Sequence, residues 1–436
     1  MIFIIFFITI THSIEVNLML PLDTVLHNGF INEVQFKKDF SQLRNAGLSG
    51  VMSDIWWGIV ETSPKQYNWT GYKQLVQLVK ESELKFQAVM SFHKCGGGAG
   101  DTVTIELPQF VKTAVNEIDG FFRDEEGNQN DEYISFSIDD VKVTERTPIE
   151  MYRDFMQSFK ENFREYIEDG TINEIQVGMG PCGETRYPAY PGNRWTYCGI
   201  GEFQCGDKHA KKQLSDAANK TGHVEWGTCS PKNAGNYNSK PPSSTGFFGN
   251  GDNNYQSEYG KFFLNWYSQL LLDHTEKILS IAKSIFGTLP IAGKVSGIHW
   301  WYNDPSHAAE VTTGYYNTNG NDAYGKICNV FSNYNTRLDF TCLEMSGTDN
   351  TCGSTPEKLV MQAYNAATAN GIGKCGENAR QLCHWGGCNT EGLDMLVKQS
   401  KKYGLIALTY LRLTRALLDD EIAWKQFSDF IKRMKN

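Results

Sequence analysis

Short apolar runs alternate with longer amphipathic stretches along most of the chain. Eight runs have the β-branched and apolar content of strands that are buried on both faces. They cover residues 15–20, 50–54, 86–92, 174–179, 292–299, 338–343, 371–376 and 405–411. Apolar residues at three- and four-residue spacing, typical of amphipathic helices, occur in segments that include 34–46, 71–83, 148–168, 259–286, 356–369 and 391–402.

Alternating strands and helices predict parallel strands joined by right-handed crossovers, and eight such strands can close into a barrel. We therefore predict the α/β class, as a (β/α)₈ TIM barrel forming a single catalytic domain. An open doubly wound sheet is the alternative. Two long segments, 96–147 and 181–260, follow predicted strands. We expect them to be long βα loops on the face where barrel enzymes carry their active sites.

The N-terminus begins with the apolar run MIFIIFFITI, followed by Thr11, His12 and Ser13. This pattern predicts a secretory signal peptide over residues 1–13 and a catalytic domain over 14–436. We accordingly expect a secreted protein, or one in the lumen of the secretory or endosomal system. The run has no preceding Lys or Arg, so a buried first strand is the alternative. It is too short to span a bilayer, and no later segment has the pattern of a membrane helix.

Composition narrows the class of partner. The 436 residues carry a formal net charge of -9, which argues against nucleic acid or an anionic membrane as partner because both require a concentrated basic face. Eleven cysteines suit an oxidising compartment if many of them are paired. Two sequons, at Asn68 and Asn219, agree with secretion and predict a glycoprotein.

Polar side chains lie at or just beyond the C-terminal end of every predicted strand. One such residue by itself is readily explained as a helix cap or a structural histidine. A polar residue at all eight strand ends is hard to explain by chance, and in a barrel these residues would converge on one mouth. The set comprises Asp23, Asp54, His93, Glu184, Lys294, His299, Thr341, Glu344, Glu377 and Arg412.

Other chemistries have weaker support. His93, His299 and His307 lack the close spacing of a zinc site, and the chain has no G-x-S-x-G elbow of a serine hydrolase. The glycine-rich run 96–100 lacks the Gly-Lys-Ser/Thr of a phosphate-binding loop. Since polar groups flank it, we interpret it as a mobile flap that closes on a ligand; a tight glycine turn is the alternative.

Long motifs of the chain, in order, resemble those of the beta-amylase family. They are MLPLD (19–23), GVMSDIWWGIVE (50–61), MSFHKCGG (90–97), VGMGPCGETRYP (177–188), GEFQC (201–205), STGFF (244–248), KVSGIHWWY (294–302), FTCLEM (340–345), GENA (376–379) and TYLRL (409–413). Motifs of this length, spread over nearly the whole chain, are highly specific.

The resemblance implies a (β/α)₈ barrel that releases β-maltose, with inversion, from the non-reducing ends of α-1,4-glucans such as starch or glycogen. It implies Glu184 as general acid and Glu377 as general base. It also implies a closing flap at 96–101 and an inner loop at 340–346. The sugar-binding positions that it implies are Asp54, His93, Asp101, Lys294, His299, Thr341, Asn378, Ala379 and Arg412.

Inverting hydrolysis needs one protonated carboxyl group and one carboxylate that activates water. We therefore expect the site of Glu184 to disfavour charge, through burial or a neighbouring anion. The mechanism requires no metal and no cofactor. The expected partner is an α-1,4-glucan or maltooligosaccharide, and we expect a monomer.

The sequence departs from the family pattern at Arg380, where plant enzymes usually carry leucine, which bears on the reducing-side subsite. Cys95, Cys205 and Cys342 match family cysteines. The remaining eight are Cys182, Cys198, Cys229, Cys328, Cys352, Cys375, Cys383 and Cys388, an even number from which we expect four disulfides.

Two other functional classes stay open at this point. One is a catalytically silent carbohydrate-binding or regulatory protein that has kept the barrel. The other is a retaining glycosidase or transglycosylase, which the anomeric configuration of the first product distinguishes from an inverting enzyme.

Overall fold

The computed structural model describes residues 13–97, 101–228, 230–347 and 351–436. Within them, eight parallel strands close into a barrel in which each strand pairs with its neighbours in chain order and the last pairs with the first. The strands are β1 Glu15–Met19, β2 Gly50–Trp56, β3 Lys85–Ser91, β4 Ile172–Val177, β5 Ile291–Val295, β6 Thr336–Phe340, β7 Lys374–Glu377 and β8 Ala407–Tyr410. The barrel closes where Glu15 pairs with Ala407. The predicted fold class is confirmed, and the open sheet is excluded.

One long helix follows each strand. These helices are α1 Glu33–Asn45, α2 Thr70–Glu81, α3 Pro148–Asn162, α4 Glu258–Phe286, α5 Ala323–Asn333, α6 Pro356–Ala369, α7 Thr390–Tyr403 and α8 Glu421–Lys435. The predicted helix 148–168 is interrupted at Phe163, which leaves helical backbone angles (φ -117°) before the short helix Arg164–Glu168. The predicted strand 371–376 begins late, because Gly371 has a positive φ (67°) and Lys374 is the first paired residue.

Apolar residues form the main core between the strands and the surrounding helices. The barrel interior differs from the expected apolar strands because it contains a buried polar network. Gln87 donates a hydrogen bond to Glu174 (2.8 Å) and accepts one from Thr409 (3.0 Å). Glu174 also accepts from Arg337 (2.8 Å). These bonds satisfy polar groups that burial alone would destabilise.

The long βα loops contain secondary structure of their own. The loop after β3 holds the helix Gln109–Glu117 and the hairpin of Phe121–Arg123 with Gln129–Ile134. The loop after β4 holds the helix Lys208–Thr221, and the loop after β7 holds a small hairpin of Cys383–His384 with Gly387–Cys388. All three lie on the face formed by the C-terminal strand ends, so they build up the wall around the barrel mouth.

The expectation of four disulfides is wrong. The structure contains the disulfides Cys198–Cys352 and Cys383–Cys388, while Cys182, Cys328 and Cys375 are free thiols. Cys375 is buried in β7 and Cys328 in the packed helix α5, and the Cys182 thiol lies 3.4 Å from a carboxylate oxygen of Glu132. Cys229 lies outside the described residues.

Of the predicted signal peptide 1–13, all but Ser13 lies outside the described residues. In the part of the chain that the structure covers, no helix has both the length and the apolar character needed to cross a membrane. Asn68 and Asn219 are both exposed, so glycosylation at these sequons stays a prediction.

Candidate active site at the barrel mouth

Glu184 follows β4 on a tight turn formed by Pro181–Gly183. Cys182 and Gly183 have consecutive positive φ angles (55° and 72°), which reverse the chain before the glutamate. The Glu184 amide closes the turn by donating to the Pro181 carbonyl at 3.0 Å. Buried Glu132 holds the same turn from the side by accepting from the Cys182 amide at 3.1 Å. The carboxyl group of Glu184 is thus presented at the mouth with 16% of its side chain exposed.

The charged group nearest to Glu184 is a cation, contrary to the expectation of an environment that disfavours charge. Arg186 Nε donates to Glu184 Oε2 at 2.6 Å, and the Arg186 side chain is only 10% exposed. Burial opposes the charge of Arg186, but Glu184, Cys182 and Glu132 raise its pKa above the ordinary value. The two side chains thus form an ion pair at the mouth of the barrel.

Glu377 ends β7 and is fully buried. Its Oε2 lies 2.8 Å from the ammonium of Lys294, whose side chain is 11% exposed. Burial lowers the pKa of a lysine, but Glu377 and then Asp339 more than offset this and raise the pKa of Lys294. The preceding residue, Gly376, is required here because a Cβ would lie 2.6 Å from side-chain atoms of Leu343 and Tyr364.

Lys294 also connects the two glutamates. Its backbone forms a parallel β-bridge with Glu184, and its carbonyl accepts from the Thr185 amide at 2.8 Å. The side chain then reaches Glu377. One residue of β5 therefore contacts both carboxyl-bearing segments.

Asp339 is a second buried carboxyl group beside Glu377, and it lies on β6. Burial, followed by the charge of Glu377, raises the pKa of Asp339 well above its ordinary value. Gln176 on β4 donates a hydrogen bond to Asp339 Oδ2. A protonated Asp339 can donate a hydrogen bond to Glu377, whereas two adjacent buried carboxylates would repel each other.

Asp54 and His93 occupy the mouth beyond β2 and β3. Ser91 donates to Asp54 Oδ1 at 2.7 Å. Burial raises the pKa of Asp54, and Arg412 is the first of several groups that oppose this shift. Burial, with the charges of Lys294 and Arg186, lowers the pKa of His93 to about 3, so its imidazole is neutral at ordinary pH.

Glu344 on the inner loop organises the segment that follows the candidate base. Its carboxylate accepts from the Ala379 amide at 3.0 and 3.1 Å and from the Arg380 amide at 2.8 Å. Buried Asn378 braces the same segment, since its amide exchanges hydrogen bonds with the Leu411 backbone at 2.6 and 2.8 Å. Ala379 and Arg380 themselves are exposed at the mouth.

The remaining predicted sugar-binding residues line the surrounding loops. Thr341 Oγ1 accepts from the Gly297 amide at 2.8 Å, and His299 Nδ1 lies 2.7 Å from Ser354 Oγ. Asp101 Oδ2 accepts from the Gly96 amide at 2.8 Å, so the two described ends of the predicted flap are joined. Arg412 donates to the Leu20 carbonyl at 3.3 Å. Direct sugar contact by any of these residues stays a prediction.

Comparison with known proteins identifies the family. Residues 17–436 match the family model described as Glycosyl hydrolase family 14. The sequence is 42% identical to "Beta-amylase 2, chloroplastic" of Arabidopsis thaliana over 440 residues, covering 97% of this chain and 80% of that protein. The chain belongs to glycosyl hydrolase family 14.

Further relatives agree with this family assignment. "Beta-amylase 5" of Arabidopsis thaliana is 43% identical over 97% of this chain and 86% of its own. The structure of the catalytic domain of beta-amylase from Paenibacillus polymyxa aligns with a TM-score of 0.80 at 32% identity, covering 98% of this chain and 99% of that chain. The predicted resemblance to the beta-amylase family is confirmed, and the protein is a glycoside hydrolase.

Four buried residues of this family 14 site were missed as functional candidates: Glu132, Gln176, Arg186 and Asp339. Two of them left a signal in the sequence. Arg186 lies two residues after Glu184 in a long family motif, and Asp339 interrupts an apolar strand with a charge that needs a buried partner. Glu132 lies in a long loop, and its position gave no indication that the chain would bring it to the turn before Glu184.

Proposed function

We propose that this enzyme hydrolyses α-1,4-glucosidic bonds of starch- or glycogen-type polysaccharides from their non-reducing ends and releases β-maltose with inversion. In this proposal Glu184 is the general acid and Glu377 the general base. One observation carries it: Lys294 contacts the segments bearing both glutamates, and Glu377 is a fully buried carboxylate held by that ammonium. Such a carboxylate is suited to orienting and deprotonating a water molecule.

Arg186 positions the Glu184 carboxyl group in this proposal, since its Nε donates to Glu184 Oε2 at 2.6 Å. A bound glucan displaces water from the mouth, and in the proposed reaction Glu184 gives its proton to the glucosidic oxygen there.

The proposal assigns sugar hydroxyls to the polar residues around the two glutamates. Arg412 and Lys294 both lower the pKa of Asp54, and Lys294 also lowers that of His93. These four residues therefore lie within electrostatic range of one another. Neutral His93 has one N–H that can donate to a hydroxyl group and one ring nitrogen that can accept from one, whereas an imidazolium can only donate. We further propose that the enzyme is secreted and acts as a monomer.

The first test is proton NMR of maltohexaose hydrolysis by the purified protein, with the anomeric signals recorded before mutarotation. The proposal expects β-maltose from the wild type and a loss of about 100-fold or more in kcat/KM for Glu184→Gln and for Glu377→Gln. Glu161→Gln is the matched control, because it makes the same substitution at an exposed glutamate near the C-terminal end of α3 and should change the rate little.

The configuration of the product distinguishes the alternatives. An α-configured product would contradict the inverting mechanism. Binding of maltohexaose without any product would support a silent carbohydrate-binding barrel. Retained activity in Glu377→Gln would show that Glu377 is not the base. Retained activity in Glu184→Gln would show that Glu184 is not the acid.

A further inference from the structure

Trp385 is an exposed aromatic side chain on a short β-hairpin. All ten tryptophans of the chain lie in described residues, and Trp385 alone is classed as exposed, with 67% of its surface accessible. It occupies the two-residue turn of the hairpin in which His384 pairs with Gly387. An exposed indole offers a flat apolar face on which a ligand can stack.

The hairpin is held at several points. The disulfide Cys383–Cys388 closes its base. The Cys383 amide donates to the Tyr410 hydroxyl at 3.0 Å, and the Cys388 amide donates to Gln426 Oε1 at 2.6 Å. These contacts attach the hairpin both to the end of β8 and to helix α8. A ligand that stacks on Trp385 therefore meets a side chain whose backbone is already ordered, which lowers the entropic cost of binding.

The hairpin lies on the same face of the barrel as the two catalytic candidates. It follows Glu377 in the loop after β7, and Trp385 lies five residues beyond Arg380. The amide next to Trp385, that of Gly386, donates at 2.9 Å to Asp420, which caps the N-terminus of α8. Helix N-termini of a (β/α)₈ barrel lie at the C-terminal strand ends, so Trp385 stands at the rim of the mouth.

The chemistry of this rim favours a neutral sugar polymer. Asp419, Asp420 and Glu421 lie next to the hairpin at the start of α8, and the chain has a net charge of -9, which disfavours an anionic membrane. Ile422, 56% exposed, lies against Gly387 and extends the apolar surface. Glucose rings present flat CH faces that pack on an indole, and a polymeric substrate continues beyond the mouth.

We propose that Trp385 is a surface binding site for α-1,4-glucan chains, separate from the cleft, that retains polymeric substrate at the rim of the mouth. The inference rests on the proposed function for its ligand. It predicts that Trp385 matters for glycogen and is dispensable for a short oligosaccharide that fits in the cleft.

The test compares Trp385→Ala, Trp385→Phe and wild type on two substrates, maltohexaose and glycogen, and measures gel retardation in native gels containing glycogen. For Trp385→Ala we expect kcat/KM on maltohexaose within twofold of wild type, KM for glycogen raised about three- to tenfold, and loss of retardation. Trp385→Phe keeps an aromatic face and should restore most of the binding. Ile406→Ala, at an exposed apolar residue just before β8 on the opposite face, is the control and should behave as wild type.

Two outcomes would overturn the inference. The first is an equal KM for glycogen in wild type and Trp385→Ala. The second is a molecular mass, measured by light scattering, that is lower for Trp385→Ala than for wild type, because the tryptophan would then mediate self-association. Failure of the proposed function gives a different result. In that case the wild type releases no maltose from maltohexaose, while retardation by glycogen still reports directly on Trp385.

Discussion

Glu344→Gln tests whether the inner loop positions the segment that follows the candidate base. The wild-type carboxylate accepts from two amides, those of Ala379 and Arg380, at 2.8 to 3.1 Å. Both amides reach Oε1, and the Ala379 amide also reaches Oε2. A glutamine oxygen at the Oε1 position can still accept from both amides, but its NH₂ group at the Oε2 position would face the Ala379 N–H. The second Ala379 contact is then lost, and neither remaining bond is charge-assisted.

The magnitude follows from these two bonds. A hydrogen bond to a charged group contributes about 1.5–3 kcal/mol and one between neutral groups about 0.5–1.5 kcal/mol. Weakening both bonds from the charged to the neutral kind costs about 2–3 kcal/mol, of which movement of the exposed segment recovers a part. We therefore expect kcat/KM on maltohexaose to fall about 10- to 100-fold, since about 1.4 kcal/mol corresponds to a factor of ten.

The pH profile provides a second readout for Glu344. Burial raises its pKa, and the amides of Ala379 and Arg380 oppose this shift. As the pH falls through that raised pKa, the wild-type carboxylate gains a proton and loses acceptor capacity, so activity should decline on this limb. The Glu344→Gln variant has no proton to gain at this position and should lack the corresponding inflection.

Glu357→Gln is the matched control for this experiment. Glu357 also accepts from a backbone amide, that of Gly347 at 3.0 Å, but its side chain is 36% exposed and does not contact the segment that follows Glu377 in any hydrogen bond that the structure describes. Its substitution should change kcat/KM by less than about threefold. If Glu344→Gln has the kcat/KM and the pH profile of wild type, the proposed positioning role is refuted.

Three further predictions concern stability and titration. Cys198→Ser with Cys352→Ser opens a loop with a sequence separation of 154 and should lower the free energy of unfolding in urea by up to about 5 kcal/mol. A carboxyl group whose pKa is raised in the folded state destabilises the protein at any pH where the unfolded chain has lost that proton, which begins at about pH 4. Asp339→Asn should therefore reduce the loss of stability that the wild type shows as the pH rises above about pH 4. The His93 ring should show no NMR titration between pH 4.5 and 8, and below about pH 6.5 its lowered pKa should reduce stability as the pH falls.

The controls for these predictions use the same chain. Opening Cys383–Cys388, with a sequence separation of 5, should cost about 2 kcal/mol, less than the longer loop. Asn17→Asp would place a new buried carboxyl group elsewhere in the barrel. Its stability should therefore fall more steeply than that of the wild type as the pH rises above about pH 4. A His93 resonance that titrates near pH 6.5 would contradict the buried, neutral imidazole, and unchanged unfolding of the Cys198/Cys352 variant would contradict the loop-entropy argument.

The sequence alone determined the fold class and the approximate positions of all eight strands. Strands that are buried on both faces must be apolar over several residues, and helices that cover them must be amphipathic, so both leave a local pattern. The boundaries were less certain. The helix predicted over 148–168 ends at Asn162, because the conformation of Phe163 is not encoded in the spacing of apolar residues.

Local sequence also located Glu184, Glu377 and Lys294, because parallel strands bring residues at their C-terminal ends to one mouth. It did not predict which charged groups lie beside them. Arg186 places a cation beside Glu184, where we expected burial or a neighbouring anion, and Asp339 comes within range of Glu377 only when β6 lies beside β7. These charge environments, and the pairing of Cys198 with Cys352, depend on distances between segments that are far apart in the chain. Only closure of the barrel brings these segments together, so the tertiary structure decided them.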